Sequence, residues 1–390
     1  MSLLPTLLLA ALFVGVTHAY GFTGHKAHHP LGIWCNELRG SRQEDRNVLA
    51  SSGIQRRSAA LSSTQSSTLA ALETKPKLSR DYSSFTFRNK YKVNYAVSAP
   101  NSSKPPILLI HGFGGSINHF RFNEPVLTQE GYNVVRVDLL GFGGSDKPAP
   151  GGDLEYSMEL FESVALKVIL HVESEGEVDR SKKWIIGGNS IGGLTSLMVA
   201  RTLKDRCRGV VLFNASGGMT SFRYEELPFA ARPILWLLQN VILKQFGNGF
   251  WNNFKQPENV EQILKTQVYK NNNTNVDQEL LDIILDPSYD EGAREVFLAV
   301  FGGSPGPTPE DVLKDLGNDV KILALWGTGD LWTPLEKGLH PGSKFGEMID
   351  TEKGVEYKLV RLEGAGHCPM DEVPDACHEA LLPWLEGLPE

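Results

Sequence analysis

Cysteine is scarce in this chain. Four in 390 residues are too few for a disulfide scaffold. Cys35 falls in an N-terminal region read below as a leader, which leaves Cys207, Cys368 and Cys377 as an odd set and points to a reducing compartment. No Cys/His spacing resembles a zinc site, and neither a metal nor an organic cofactor is expected. Cationic excess is missing too. Against 46 Asp and Glu stand 38 Lys and Arg, a formal net charge of −8. Phosphate binding needs clustered cations, so a nucleic-acid partner is excluded. There is no internal repeat, heptad array or long charge block. The glycine loops at Gly112 and at Gly141-Phe142-Gly143-Gly144 lack a P-loop lysine and dinucleotide spacing. What remains is the composition of a globular enzyme, 41% hydrophobic and 22% charged, long enough for one large domain with an insertion or for two ordinary ones.

The longest apolar run, Leu3 to Val16, has signal-peptide length and is short for a membrane span. Thr17 and Ala19 supply small residues at the −3 and −1 positions of a cleavage site before Tyr20, although no positive segment precedes the run. An N-terminal anchor helix is the alternative. From residue 20 to 81 the composition shifts: Arg39, Arg42, Arg46, Arg56 and Arg57 outweigh a few acids, and Ser58 to Thr68 is mostly small and hydroxyl residues. This resembles a transit peptide behind a signal peptide, with Phe22 near the Ala19-Tyr20 junction as in bipartite plastid leaders. The expected destination is therefore the plastid, with secretion or the endomembrane lumen as the alternative.

In the mature chain, strand signals alternate with helical segments, the pattern of a mostly parallel sheet built from βαβ units. Strands are expected at Tyr91 to Val97, Ile107 to Ile110, Tyr132 to Val137, Trp184 to Gly187, Gly209 to Phe213, Val320 to Trp326 and Glu356 to Leu362. The first should run antiparallel. Residues 82–216 and 319–390 thus form the core. Between them, 217–318 read as a helical cap rich in Phe222, Phe229, Trp236, Phe246, Phe250, Trp251, Phe254, Phe297 and Phe301. Most of these must pack the cap itself. A minority facing the site would make an apolar slot, and Trp236 and Phe250, with Trp332 from the core, are the candidates for substrate contact. A helix from Pro233 to Phe246, apolar at Ile234, Leu237, Leu238, Val241 and Ile242, either packs on the core or faces a membrane or apolar ligand.

The chemistry centres on Gly188-Asn189-Ser190-Ile191-Gly192, set between the strand at Trp184 and a helical run, Leu194 to Ala200, apolar on one face. Gly-x-Ser-x-Gly in a strand–turn–helix setting is a nucleophile elbow that thrusts the serine above the sheet. A serine hydroxyl needs a base, and the base an orienting acid. His367, on the loop Gly364-Ala365-Gly366 after the last strand, suits the base. Asp330, after the preceding strand, suits the acid. The rival acid position is held by Asn214, which carries no charge. His111 is expected to hold its loop by hydrogen bonds, His119, His171, His340 and His378 to lie at the surface, and Asp371 and Glu372 either to orient the His367 loop or to start a helix. An oxyanion needs two N–H donors. Ile191, at the helix N-terminus, and Phe113, in His111-Gly112-Phe113-Gly114-Gly115, are the candidates.

With these motifs assembled, residues from about Tyr82 onward resemble α/β-hydrolases, and within them the plastid pheophytinase and chlorophyll dephytylase group. The matching runs are Gly188-Asn189-Ser190-Ile191-Gly192-Gly193, Asp330-Leu331-Trp332-Thr333-Pro334 and Gly366-His367-Cys368-Pro369-Met370-Asp371-Glu372-Val373-Pro374. The resemblance implies an eight-stranded, mostly parallel sheet with an inserted cap. It also implies cleavage of the phytyl ester on a chlorophyll-type macrocycle, with peripheral contact to the thylakoid membrane. The chain departs from the group at His111, where pheophytinases have Pro, and at Met370, where the group often has His. Asn before the nucleophile also occurs in hydrolases that split carbon–carbon bonds. Another ester or lipid substrate, a carbon–carbon substrate and a catalytically silent binding protein therefore stay open at this stage.

Overall fold

The computed structural model describes residues 78–219, 249, 251–338 and 340–389. The signal segment, nearly all of the expected leader, the Pro233 to Phe246 helix, Trp236 and Phe250 lie outside the described residues.

Eight strands form one sheet: β1 (Ser83–Phe87), β2 (Tyr91–Ser98), β3 (Pro106–Ile110), β4 (Asn133–Val137), β5 (Trp184–Asn189), β6 (Cys207–Phe213), β7 (Lys321–Gly327) and β8 (Glu356–Leu362). Their order is β1-β2-β4-β3-β5-β6-β7-β8. β2 runs antiparallel to β1 and β4, and every pair from β4 to β8 is parallel. This is the mostly parallel eight-stranded sheet expected from the sequence. β1 is the strand that pattern reading missed, because Ser83-Ser84 opens it. Only Phe85 and Phe87 turn inward. The hairpin that pairs it to β2 places Arg88 and Asn89 at φ +49° and +55°, and Lys90 N–H closes the turn on Phe87 O at 3.1 Å.

Strand residues alternate between two apolar layers. Leu108, Ile110, Ile186, Val210, Leu212 and Ile322 face one side, while Ile107, Leu109, Ile185, Val211, Phe213 and Leu323 face the other. A sheet covered on both faces needs such near-continuous apolar strands. Each fully buried Leu or Ile stabilises the fold by roughly 1.5–3 kcal/mol. Helices α1 (Asn123–Gln129), α2 (Met158–Ser174) and α3 (Ile191–Leu203) make the crossovers. Ser157 caps α2 by accepting from Leu160 N–H. α3 differs from the one-sided helix expected: Ile191 to Ala200 is buried throughout. The two hydroxyls of that buried stretch are satisfied internally, Thr195 on Ile191 O at 2.8 Å and Ser196 on Gly192 O at 2.7 Å, so a helix with polar residues tolerates burial on every side.

Between β6 and β7 the described residues hold helices and no strand: α4 (Pro257–Ile263), a π-helical turn at Leu264–Val268, α5 (Gln278–Leu285), α6 (Ala293–Gly302) and α7 (Pro309–Lys314). After β8 come α8 (Pro369–Glu372) and α9 (Pro374–Glu386). At the other end, composition assigned Ser79 and Arg80 to the leader, yet both are tied to the folded part. Ser79 O accepts from the buried Arg136 at 2.8 Å, Ser79 N–H donates to Glu124, and Arg80 pairs with Glu279 at 2.6 Å.

Candidate active site

Ser190 stands between β5 and α3 at φ +56°, ψ −121°, a conformation a side chain rarely adopts. The flanking glycines make it attainable. A Cβ on Gly188 would overlap the carbonyl of Gly192, and one on Gly192 would overlap that of Ile110 at the end of β3. The elbow is pinned from both sides, with Ser190 N–H donating to Phe213 O at 3.1 Å and Ser190 O accepting from Ser216 N–H at 2.9 Å. Strain is held here by bonds to β6 and its following loop.

His367 and Asp330 are brought into direct contact. His367 Nδ1 lies 2.8 Å from Asp330 Oδ2. The same oxygen accepts from Thr333 Oγ1 at 2.5 Å and Asn214 Nδ2 at 2.6 Å, and Oδ1 accepts from Trp332 N–H at 2.7 Å. Burial alone would raise this carboxyl, but the neighbouring His367 and the hydrogen bonds from His367, Thr333 and Trp332 outweigh it, and its pKa falls below the ordinary carboxylate value. An ionised Asp330 only accepts, so His367 carries its proton on Nδ1 and leaves Nε2 as the basic atom. Trp332 stacks on the imidazole, 5.7 Å between centroids at 24°. Asn214 acts here as a donor to the acid, and its Oδ1 accepts from Gly327 N–H at 2.9 Å.

Three contacts fix the backbone around His367. Its N–H donates to Val268 O at 2.8 Å, its carbonyl accepts from Asn189 Nδ2 at 2.9 Å, and Gly366 N–H donates to Glu372 Oε2 at 2.6 Å. Glu372 Oε1 accepts from the backbone N–H groups of Lys270, Asn271 and Asn272. Glu372 thus orients the His367 loop, while the Asp371 carboxylate accepts from Arg121 and Tyr269, and both residues stand in a short helix. Asn189, the residue before the nucleophile, also donates to Phe213 O at 2.9 Å. It cross-links β5, β6 and the loop of the base, a role the sequence motif did not disclose.

Ser190 and His367 border one cavity of about 160 Å³, with no hydrogen bond joining their side chains among the described residues. Phe113, Trp251, Phe254, Phe297, Phe301 and Trp332 contribute its aromatic wall, and Val260, Leu264, Val268 and Leu285 its aliphatic one. Phe113 and Phe297 are 5.2 Å apart, Phe297 and Phe301 4.7 Å, Trp251 and Phe297 4.9 Å. Trp332 thus borders the cavity from the core side. Cys368 borders it too, but burial and the carboxylates of Asp371, Asp330 and Glu372 push its thiol well up, so no thiolate competes with Ser190.

The N–H groups of Phe113 and Ile191 donate to no protein acceptor among the described residues. Ile191 opens α3, where the first-turn N–H groups have no intrahelical partner. His111 holds the Phe113 loop as expected. Leu139 N–H donates to its Nε2 at 3.1 Å, so the proton sits on Nδ1, which donates to Gly112 O at 2.7 Å. Burial lowers its pKa and keeps it neutral.

His119 overturns its surface assignment. It is buried and borders the cavity. Its Nε2 lies 3.3 Å from Tyr269 Oη, which donates to Asp371 Oδ1 at 2.9 Å. Asp371 also pairs with Arg121 Nε at 2.8 Å, and Arg121 reaches Asp277 at 2.7 Å. Burial, with the positive charge of Arg121 beside it, brings the pKa of His119 down to about 3. The sequence offered no cue, because a 3₁₀ turn (Ile117–Phe120) rather than a strand end carries this histidine inward. His171, His340 and His378 are partly buried rather than exposed. His171 stacks on Phe85 at 5.0 Å, and His340 pairs with Glu310 at 2.8 Å.

Comparison with known proteins fits this geometry. The family model described as "Alpha/beta hydrolase family" matches residues 107–380. The chain belongs to the alpha/beta hydrolase family. Among curated relatives of this family, a chloroplastic pheophytinase of Arabidopsis thaliana is 26% identical over 340 residues, covering 77% of this chain and 66% of the relative. The acetyltransferase component of an acetoin cleaving system from Pseudomonas putida is 26% identical, over 72% of this chain and 63% of the relative. The chain thus spans a little under two thirds of the length of these two. Lipase 1 of Psychrobacter immobilis is also 26% identical, over 75% of this chain and 80% of the relative. An esterase from Thermogutta terrifontis shares the fold with a TM-score of 0.56 at 20% identity, covering 78% of this chain and 98% of that one.

Proposed function

We propose that this alpha/beta hydrolase cleaves a carboxylic ester of a large apolar substrate through an acyl-enzyme on Ser190. His367 Nε2 takes the Ser190 proton as Oγ attacks the carbonyl carbon. Asp330, ionised and hydrogen-bonded to Nδ1, stabilises the imidazolium that forms. The N–H groups of Phe113 and Ile191 receive the oxyanion, each contributing about 3 kcal/mol to the transition state. His367 then passes the proton to the leaving alcohol, and water resolves the acyl-enzyme by the same route in reverse.

The observation that carries the substrate class is the wall of the cavity beside Ser190, built from aromatic and aliphatic side chains with few polar atoms outside the reacting groups. Our specific reading is the phytyl ester of chlorophyll or pheophytin, in a plastid reached through the bipartite leader and at the thylakoid surface. The pheophytinase similarity and the matching motifs around Ser190, Asp330 and His367 support it. The test is direct: purified protein incubated with chlorophyll, pheophytin, a triacylglycerol and p-nitrophenyl octanoate, with products separated by chromatography. Phytol release from either pigment is the expected result. Turnover of the lipid or the simple ester without phytol release would keep the ester hydrolase and discard the pigment. Hydrolysis of none would discard both.

A further inference from the structure

The acyl-enzyme must be resolved by water, and a water beside His367 Nε2 has two hydrogens to place. One goes to the base. The other needs an acceptor in a cavity whose wall is otherwise mostly apolar. His119 is built to be that acceptor. Asp371 is bound by Arg121, so Tyr269 spends its single hydroxyl proton on Asp371. Tyr269 Oη can then only accept from His119, which puts the imidazole proton on Nε2. Nδ1 is left with a lone pair that no donor among the described residues meets, beside Gly115 at the cavity border. A Cβ on Gly115 would come to 3.3 Å from that nitrogen. The burial and nearby positive charge described above keep the ring neutral, so the lone pair stays available. Arg121, Asp371 and Tyr269 thus fix one tautomer and aim an acceptor at the space His367 also borders.

We propose that His119 Nδ1 seats the hydrolytic water against His367 Nε2 for breakdown of the acyl-enzyme. The inference rests on the ester hydrolase reading and not on the identity of the ester. The water oxygen attacks the acyl carbonyl carbon, and the bond from that carbon to Ser190 Oγ breaks. One water proton passes to His367 Nε2 and then to Ser190 Oγ. The other stays on the oxygen that becomes the product carboxyl, held meanwhile by His119 Nδ1. Acylation uses no water, so His119 should matter to one half of the reaction only.

Stopped-flow release of p-nitrophenol from p-nitrophenyl octanoate separates the halves, because the burst reports acylation and the steady state reports deacylation. His119→Phe keeps the ring volume and removes the acceptor, while His119→Gln retains an acceptor oxygen. The Phe variant should keep its burst rate and kcat/KM within about threefold, while kcat falls on the order of tenfold, the worth of one hydrogen bond. Intact mass should show octanoyl-enzyme accumulating, and the Gln variant should recover part of kcat. Equal loss of burst rate and kcat in both variants, or an unchanged kcat, overturns the role. A wild-type protein that forms no acyl-enzyme at all overturns the ester hydrolase reading instead. A melting curve for each variant identifies loss of folding, in which case the Gln variant alone decides.

Discussion

Replacing Asp330 with Asn tests the acid more sharply than deleting it. The carboxylate receives three donors on Oδ2, from His367, Thr333 and Asn214, and one on Oδ1, from Trp332 N–H. An Asn side chain must turn its NH2 toward one of these sides. Facing Trp332 sets it against one donor, whereas facing the other side sets it against three. The amide oxygen therefore stays with His367, and the Nδ1–H tautomer survives. What is lost is the charge that stabilises the imidazolium. Two unit charges about 4 Å apart at an effective dielectric of about 20 interact by about 4 kcal/mol, so kcat should fall on the order of 10³-fold. Loss of the Trp332 N–H bond to Oδ1 should lower stability by about 1–3 kcal/mol. Steady-state kinetics on p-nitrophenyl octanoate measure the first number and denaturant melts the second. A fluorophosphonate labelling rate should fall in step with kcat. A variant within about tenfold of wild type on both kinetic measures would mean that another group orients His367 and that Asp330 is structural.

The sheet was legible because its strands are short apolar runs bounded by turn residues, and the order Ser190, Asp330, His367 could be read because each follows such a run. What escaped reading depends on partners distant in sequence. Asn189 looks like an ordinary elbow residue until its amide is seen to bridge Phe213 and His367. Asn214 reads as a failed acid, yet its amide supports the acid from the neighbouring strand end. His119 has no motif of its own, and its meaning comes from Tyr269 and Asp371, 150 residues and farther along the chain. β1 was hidden by two serines, and the start of the folded part by composition: Ser79 belongs to a hydroxyl-rich, basic region but closes on Arg136 through its carbonyl. Local pattern reports which element a residue enters. It does not report which buried polar atom will meet it there.

Three further outcomes follow from the structure. Ser190→Ala and His367→Ala should each lower turnover on the order of 10⁴-fold or more, and the double variant should be no worse than the stronger single one, because the two act as a unit. Intact mass of protein from its natural source should place the mature N-terminus between about residue 60 and Ser79, since cleavage beyond Ser79 would remove the groups bound to Arg136 and Glu124; a terminus at Tyr20 would indicate secretion instead. The third concerns acid. His119 has a folded pKa of about 3 against an unfolded value of about 6.5. Between those values the unfolded chain binds a proton that the folded protein refuses. Stability from this group is therefore complete above about pH 6.5 and is lost progressively as pH falls toward 3. At pH 5 the loss is about 1.5 units, or about 2 kcal/mol. His119→Gln carries no titrating group at this position while the rest of the protein keeps its own. Urea melts of both proteins at pH 7 and pH 5 should show wild type losing about 2 kcal/mol more than the variant over that step. Parallel losses would mean that His119 takes up its proton in the folded state, and that the neutral tautomer assigned to it fails in acid.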